Sequence, residues 1–107
     1  MNGAQTTATN TRIEHVAGTL RVTGEMTVYS ASQIKQPLLD TLANDPGDIT
    51  LDLSAVTEFD TAGLQLLLLA RHEALASNRD LRVTATSGIV RETLTLSGAL
   101  KLLVGQP

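Results

Sequence analysis

Residues 51–70 read LDLSAVTEFDTAGLQLLLLA, and they carry the clearest evidence for the architecture of the chain. Ile49, Leu51 and Leu53 alternate with polar residues, which predicts a strand with one buried face. A short polar loop over residues 54–60 is predicted to follow, and a strongly apolar helix is predicted from Thr61 to about Ser77. The loop therefore brings an aspartate and a threonine, Asp60 and Thr61, to the start of that helix.

Further elements are predicted on both sides of this stretch. Upstream, the pattern predicts two short strands after Arg12, separated at residues 17–18 and ended by Gly24. A helix then begins at Ser30, where Ser30 and Gln33 form a plausible capping box, and Pro37 is expected to kink or restart it. Downstream, the sequence predicts a turn at residues 44–47, a strand at 81–86, a helix from Ser87 to about Leu96 that ends at Ser97-Gly98, and a short apolar segment at 100–104.

The strands have one apolar face and one face of Thr, Ser, Asp or Arg. A sheet covered on both sides would show nearly continuous apolar runs instead. We therefore expect an α/β fold with a mixed four- to five-stranded sheet and helices packed on one face. The segment from Ile49 to Ala85 is expected to form a right-handed crossover between parallel strands. Residues 1–11 lack apolar periodicity and predict a mobile tail, so the folded domain is expected to cover residues 12–107.

Composition excludes several classes of function. The 107 residues include 42% hydrophobic residues and carry a net charge of −3, which fits one soluble, cytoplasmic domain without a basic nucleic-acid-binding surface. There are no cysteines, and the longest apolar run is far shorter than the ~20 residues of a membrane span. The common catalytic and phosphate-binding motifs are missing, and His15 and His72 have no metal-spaced partner. We therefore expect no enzyme activity, cofactor, metal or membrane insertion.

Asp60 and Thr61 allow two interpretations at the start of the main helix. Either side chain could simply cap the helix, a role worth about 1 kcal/mol. Alternatively, a phosphate on Thr61 would lie near the free N–H groups of the helix and add close to two negative charges beside Asp60. The two interpretations do not exclude each other.

The main helix carries more leucines than one buried stripe requires. Leu64, Leu67, Leu68 and Leu75 form a stripe that fits the sheet, whereas Leu66 and Leu69 lie off it. Either a neighbouring helix covers Leu66 and Leu69, or they belong to a docking surface near Thr61.

From Arg12 to Leu103 the chain resembles the STAS domains, and particularly the stand-alone anti-sigma factor antagonists. The residues that carry the resemblance are Gly24-Glu25-Met26-Thr27 after a strand, Leu51-Asp52-Leu53-Ser54 with Val56 and Phe59-Asp60, and Thr61-Ala62-Gly63-Leu64. The resemblance implies a partner-switching protein in bacterial signal transduction and transcription regulation. Such a domain binds an anti-sigma factor that is also a serine/threonine kinase, and phosphorylation of the hydroxyl after the Asp releases that partner.

Carried over by position, the phosphate acceptor would be Thr61, with Asp60 beside it and Gly63 allowing close approach at the helix start. The partner-binding surface is then predicted to include Asp60, Thr61, Ala62, Gly63, Leu66 and Leu69. The chain departs from the common pattern in having Thr61 in place of Ser and Ala62 in place of a second Ser. Similar Asp-Thr-x-Gly elements occur in STAS subunits that support the ATPase of bacterial phospholipid-transport ABC systems, and others accompany chemotaxis proteins. A STAS domain that senses a small molecule or nucleotide is a further alternative.

Overall fold

The structure is a computed structural model that describes residues 5–8, 11–16 and 18–104. Within these residues the chain forms five strands and four helices. They are β1 (Gln5–Ala8), β2 (Thr11–Val16), β3 (Thr19–Met26), α1 (Ala31–Asn44), β4 (Ile49–Phe59), α2 (Thr61–Ala76), β5 (Leu81–Thr86), α3 (Gly88–Ser97) and α4 (Leu100–Leu103).

The strands form one mixed sheet in the order β1-β2-β3-β4-β5. The pairs β1–β2 and β2–β3 are antiparallel, as a meander of short turns requires. The pairs β3–β4 and β4–β5 are parallel and are connected through α1 and α2 respectively. The predicted strand–helix–strand unit with parallel strands is therefore confirmed.

One face of the sheet carries the hydrophobic core. Alternate strand residues such as Leu20, Leu51 and Val83 are buried against apolar residues of the helices, including Ile34 and Leu67. The opposite face is polar, where the Thr19 and Thr50 hydroxyl groups lie 2.9 Å apart. The predicted fold class, a mixed sheet with helices on one face, is confirmed.

Two strands differ from the prediction at the N-terminal side. Residues 5–8, placed by the sequence in a mobile tail, form β1 and pair with β2, while residues 1–4 and 9–10 of that tail lie outside the described residues. The pairing joins backbone groups, so it needs no apolar alternation in β1 and left no signal in the sequence. Thr11, the last residue of the predicted tail, begins β2 and is buried.

The prediction of a loop over residues 54–60 is wrong, because β4 continues to Phe59. Strand β3 likewise passes Gly24 and ends at Met26, which pairs with Phe59. The ladder shifts register between Gly24 and Glu25, and Gly24 has a φ of 103°, a left-handed conformation that glycine adopts without strain. An irregular parallel ladder of this kind keeps both strands paired although the simple apolar alternation of β4 ends at Leu53.

The helix ends are mostly as predicted. The Ser87 hydroxyl accepts a hydrogen bond from the Val90 N–H at 3.4 Å and caps α3, and Gly98 ends α3 with a φ of 81°. The predicted capping box at α1 is wrong for Ser30, because its buried hydroxyl accepts from the Thr27 N–H, at 3.0 Å, instead of from a helix N–H. Helix α1 also passes through Pro37 without restarting.

The buried face of α2 differs from the predicted stripe. Its buried residues are Gly63, Leu66, Leu67, Ala70 and Ala74. Leu75 is 45% exposed, and Leu64 and Leu68 are only partly buried. Small residues at positions 70 and 74 allow α2 to lie close to its neighbours, and α1 packs alongside it. Because leucine occupies nearly every position from 64 to 69, the helical pattern alone could not identify the inward face.

Candidate functional site

The candidate site lies where the parallel strands β3 and β4 end and α2 begins. The pairing of Met26 with Phe59 brings the β3–α1 loop beside Asp60. The Asp60 N–H donates to the Met26 carbonyl oxygen at 3.3 Å and closes this corner. The carboxyl end of a parallel sheet is where functional loops of α/β proteins usually gather.

Asp60 is the residue that caps α2. One carboxylate oxygen, Oδ1, accepts from the Ala62 N–H at 2.9 Å and from the Gly63 N–H at 3.3 Å. The other, Oδ2, accepts from the Val28 N–H at 3.0 Å. A single carboxylate therefore satisfies two donors of the helix start and also ties α2 to the β3–α1 loop.

Thr61 is exposed and is the first residue of α2. Since Asp60 supplies the cap, the interpretation in which Thr61 caps the helix is wrong. The Thr61 hydroxyl is thus at the surface, next to a carboxylate and at the positive end of the helix dipole. The geometry leaves Thr61 open to solvent.

Gly63 occupies a space that leaves no room for a Cβ atom unless its neighbours shift. A Cβ atom added there would clash with the Met26 carbonyl oxygen and would lie 2.7 and 2.8 Å from two ring atoms of Phe59. The close approach predicted for Gly63 is therefore to the protein's own β3 and β4 ends. The absence of a side chain allows the first turn of α2 to rest on the sheet edge.

The predicted docking residues Leu66 and Leu69 have different environments. Leu66 is 6% exposed and belongs to the core, so it fits the alternative in which a neighbouring helix covers it and not the one in which it is an exposed docking residue. The helix that covers it is α1, which packs alongside α2. Leu69 is partly exposed. Both residues, together with Ala62, line an open groove of about 290 Å³ between the two helices.

The sequence did not single out the apolar residues of the β3–α1 loop. Val28 is 65% exposed and Tyr29 is 86% exposed, immediately beside the Asp60 carboxylate that binds the Val28 N–H. Tyr29 also borders a second hollow of about 330 Å³, lined by Thr27, Tyr29, Thr57, Glu58, Phe59, Asp60 and Ile89. The available signal was the position of the chain's single tyrosine, between the predicted strand end at Gly24 and the predicted helix start at Ser30.

Asp52 lies apart from this site, on the polar face of the sheet. Its carboxylate accepts from the Ser54 hydroxyl at 2.6 Å and from the Ser54 N–H at 2.9 Å, and it pairs with Arg21 at 3.3 Å. The hydrogen bonds from Ser54, followed by Arg21, hold the pKa of Asp52 below its ordinary value. Asp52 therefore has a structural role on the polar face of the sheet.

Other residues that were considered for chemistry also lie apart from Asp60 and Thr61. The Nε2 atom of His15 lies 3.5 Å from the Oδ2 atom of Asp45, the residue directly after α1. In residues 5–8, 11–16 and 18–104, no three His, Cys, Asp or Glu side chains are grouped closely enough to hold a metal ion. Nor does any helix in these ranges have the length and apolar character needed to cross a membrane.

Comparisons with known proteins give a consistent result. No curated protein sequence matches the chain. Among solved structures, an anti-sigma factor antagonist from Mycobacterium paratuberculosis is 26% identical and superposes with a TM-score of 0.73 over 92% of this chain and 87% of its own. The unphosphorylated anti-sigma factor antagonist SpoIIAA is 20% identical, with a TM-score of 0.67 over 83% of this chain and 81% of its own, and shares the fold. The family model described as "Mlab, STAS domain" matches residues 9–105, so this chain belongs to the STAS domain family.

Proposed function

We propose that this chain is a non-enzymatic, cytoplasmic regulatory protein that binds a protein partner through the start of α2 and releases it when Thr61 is phosphorylated. The observation that supports this best is the exposed Thr61 hydroxyl beside Asp60, with exposed apolar residues on the loop that Asp60 binds. The similarity to the mycobacterial anti-sigma factor antagonist favours the same class of role. The partner would then be an anti-sigma factor with serine/threonine kinase activity.

The electrostatics of the helix start indicate how a phosphate would act. The Ala62 and Gly63 N–H groups already donate to Asp60, so they are not free to neutralise a phosphate on Thr61. A phosphate adds about −1.5 to −2 charge at neutral pH. It would therefore compete with Asp60 for the helix donors or face outward into the partner. Either outcome changes the surface that the partner contacts.

The apolar residues around Thr61 provide the contact area that such a partner needs. Val28 and Tyr29 project from the β3–α1 loop, and Tyr is among the residues enriched at binding hot spots. Charge introduced beside apolar contacts must be desolvated when the partner binds, which is unfavourable. Phosphorylation is thus expected to weaken the complex.

The experiment compares Thr61→Ala, Thr61→Ser and Thr61→Glu in a phosphorylation assay with the cognate kinase and in a binding assay with the partner. We expect Thr61→Ala to bind without accepting phosphate, Thr61→Ser to retain both properties, and Thr61→Glu to bind more weakly. Thr95→Glu introduces the same charge at an exposed position near the end of α3 and serves as the control. Wild-type protein that accepts no phosphate at Thr61, together with loss of binding by Thr61→Ala, would refute the switch.

A second candidate is a STAS subunit of a bacterial ABC transporter of the phospholipid type, which supports the ATPase. The description of the matching family model, "Mlab, STAS domain", favours it. In that case Thr61 would act as an unmodified contact, and Thr61→Ala alone should weaken the complex and lower ATPase activity. The genes next to the coding sequence provide an independent check, since a kinase gene and a transporter cluster support different candidates.

A further inference from the structure

The groove between α1 and α2 has a distinct composition. It lies beside the first turns of both helices and encloses about 290 Å³. The residues that line it are Ala31, Ser32, Lys35, Ala62, Gln65, Leu66 and Leu69. Four of these seven residues are apolar and three are polar, namely Ser32, Lys35 and Gln65, so the lining is mainly apolar. An open apolar groove of this kind suits a side chain from another protein.

The charge of the groove is positive. Lys35 is the only ionisable residue in its lining, and within the described part of the chain it forms no ion pair. Residues 61–70 contain no charged side chain, and neither helix has an acidic residue in its first turn. The nearby Asp60 carboxylate is engaged by three backbone N–H groups. The two helix starts add partial positive charge of the same sign as Lys35.

We propose that this groove binds an acidic, amphipathic segment of the protein partner. An apolar side chain of that segment packs against Leu66 and Leu69, and a neighbouring Asp or Glu pairs with Lys35. Charge complementarity identifies this occupant, since a basic segment would meet Lys35 and two positive helix ends. The inference rests on the proposed function, because it specifies the partner segment that the same surface binds.

The position of Thr61 gives this proposal a consequence for regulation. Ala62 lines the groove, and Thr61 is the residue directly before it at the start of α2. A phosphate on Thr61 has the same sign of charge as the acidic segment and would repel it, and it could also attract Lys35 away from the partner. Phosphorylation therefore weakens the complex because the partner segment is acidic.

The direct test is zero-length cross-linking with a carbodiimide, which joins an amine to a carboxylate only when the two are in contact. The chain has two lysines, Lys35 and Lys101, so the products are easily assigned. The complex is isolated from the native cytoplasm with the tagged full chain, cross-linked and analysed by tandem mass spectrometry. We expect Lys35, and not Lys101, to be joined to an Asp or Glu in a partner segment that also contains apolar residues.

Binding measurements with charge variants provide the second readout. Lys35→Glu should weaken partner binding by about tenfold or more, and Lys35→Arg should retain it. Lys101→Glu makes the same charge change at an exposed position on α4 and should leave affinity unchanged. A complex in which Lys35 stays as reactive toward acetylation as in the free chain, or in which Lys35→Glu binds normally, would overturn the acidic-segment inference while leaving the proposed function intact. If no complex forms at all, the proposed function fails, and this inference fails with it.

Discussion

Replacement of Asp60 tests the connection between α2 and the loop that carries Val28 and Tyr29. In the structure, Oδ1 of Asp60 caps the helix and Oδ2 accepts from the Val28 N–H at 3.0 Å. Asp60→Ala removes both functions, whereas Asp60→Asn keeps an oxygen for the cap and places an NH₂ group opposite the Val28 donor. The two variants therefore separate the cap from the connection to the loop.

The magnitudes follow from the bonds that each variant loses. Loss of an N-cap typically costs about 1 kcal/mol. A hydrogen bond to a charged acceptor contributes about 1.5–3 kcal/mol, and the lower end applies here because the Val28 bond is exposed to solvent. We expect the free energy of unfolding to fall by about 2–3 kcal/mol in Asp60→Ala and by about 1–1.5 kcal/mol in Asp60→Asn.

Urea unfolding followed by circular dichroism measures these stability changes, and amide hydrogen exchange locates them. Exchange at the Val28 amide should accelerate in both variants, whereas exchange at Ala62 and Gly63 should accelerate strongly only in Asp60→Ala. If Asp60→Asn unfolds at the wild-type urea concentration and its Val28 amide exchanges at the wild-type rate, the connection through Oδ2 contributes nothing and the reasoning is refuted.

Three further predictions concern packing and pH. Gly63→Ala should lower the free energy of unfolding by about 1–3 kcal/mol or more, because its Cβ atom would clash with the Met26 backbone and the Phe59 ring. Gly88→Ala is the control and should be neutral or stabilising, because its Cβ atom would meet nothing within 4 Å. Equal urea midpoints for the two variants would contradict this prediction. Leu66→Asp should unfold the domain, because it places a charge at a buried position. Leu69→Asp, at a partly exposed position, should remain folded and weaken partner binding. Circular dichroism measures whether each variant is folded, and a binding assay measures its affinity for the partner. The folded-state pKa of Asp52 is lowered, so its stabilising contribution is complete above about pH 4 and is lost as the pH falls through the folded-state pKa. Asp52→Asn should therefore show a shallower loss of stability below about pH 4 in urea titrations, and parallel curves would show that the carboxylate adds nothing.

The start of α2 could be predicted because it depends on neighbouring residues. The Asp60–Thr61 pair at a helix start follows from a strand pattern, a change of period and a polar residue before an apolar helix. The structure places α2 from Thr61, with Asp60 as its cap. Ser87 and Gly98 at the ends of α3 were predictable for the same reason, because capping depends on groups within one turn of the helix.

The residues that surround the site could not be predicted, because they depend on contacts between distant parts of the chain. The bond from the Val28 N–H to Asp60 joins residues 32 positions apart, and it brings Tyr29 to the site. The burial of Leu66 depends on α1, a separate helix, and could not be read from the leucine-rich pattern of α2 alone.

Local sequence patterns were enough to predict the class of fold. Alternation in the strands placed apolar residues on one face of the sheet, and the helical periods and caps located α2 and α3, because these properties depend on residues within a few positions of each other. Tertiary structure alone decided that residues 5–8 join the sheet, that β4 continues to Phe59, and which leucines of α2 are buried. Each of these outcomes depends on backbone pairing or side-chain packing between segments far apart in the chain, which local periodicity does not encode.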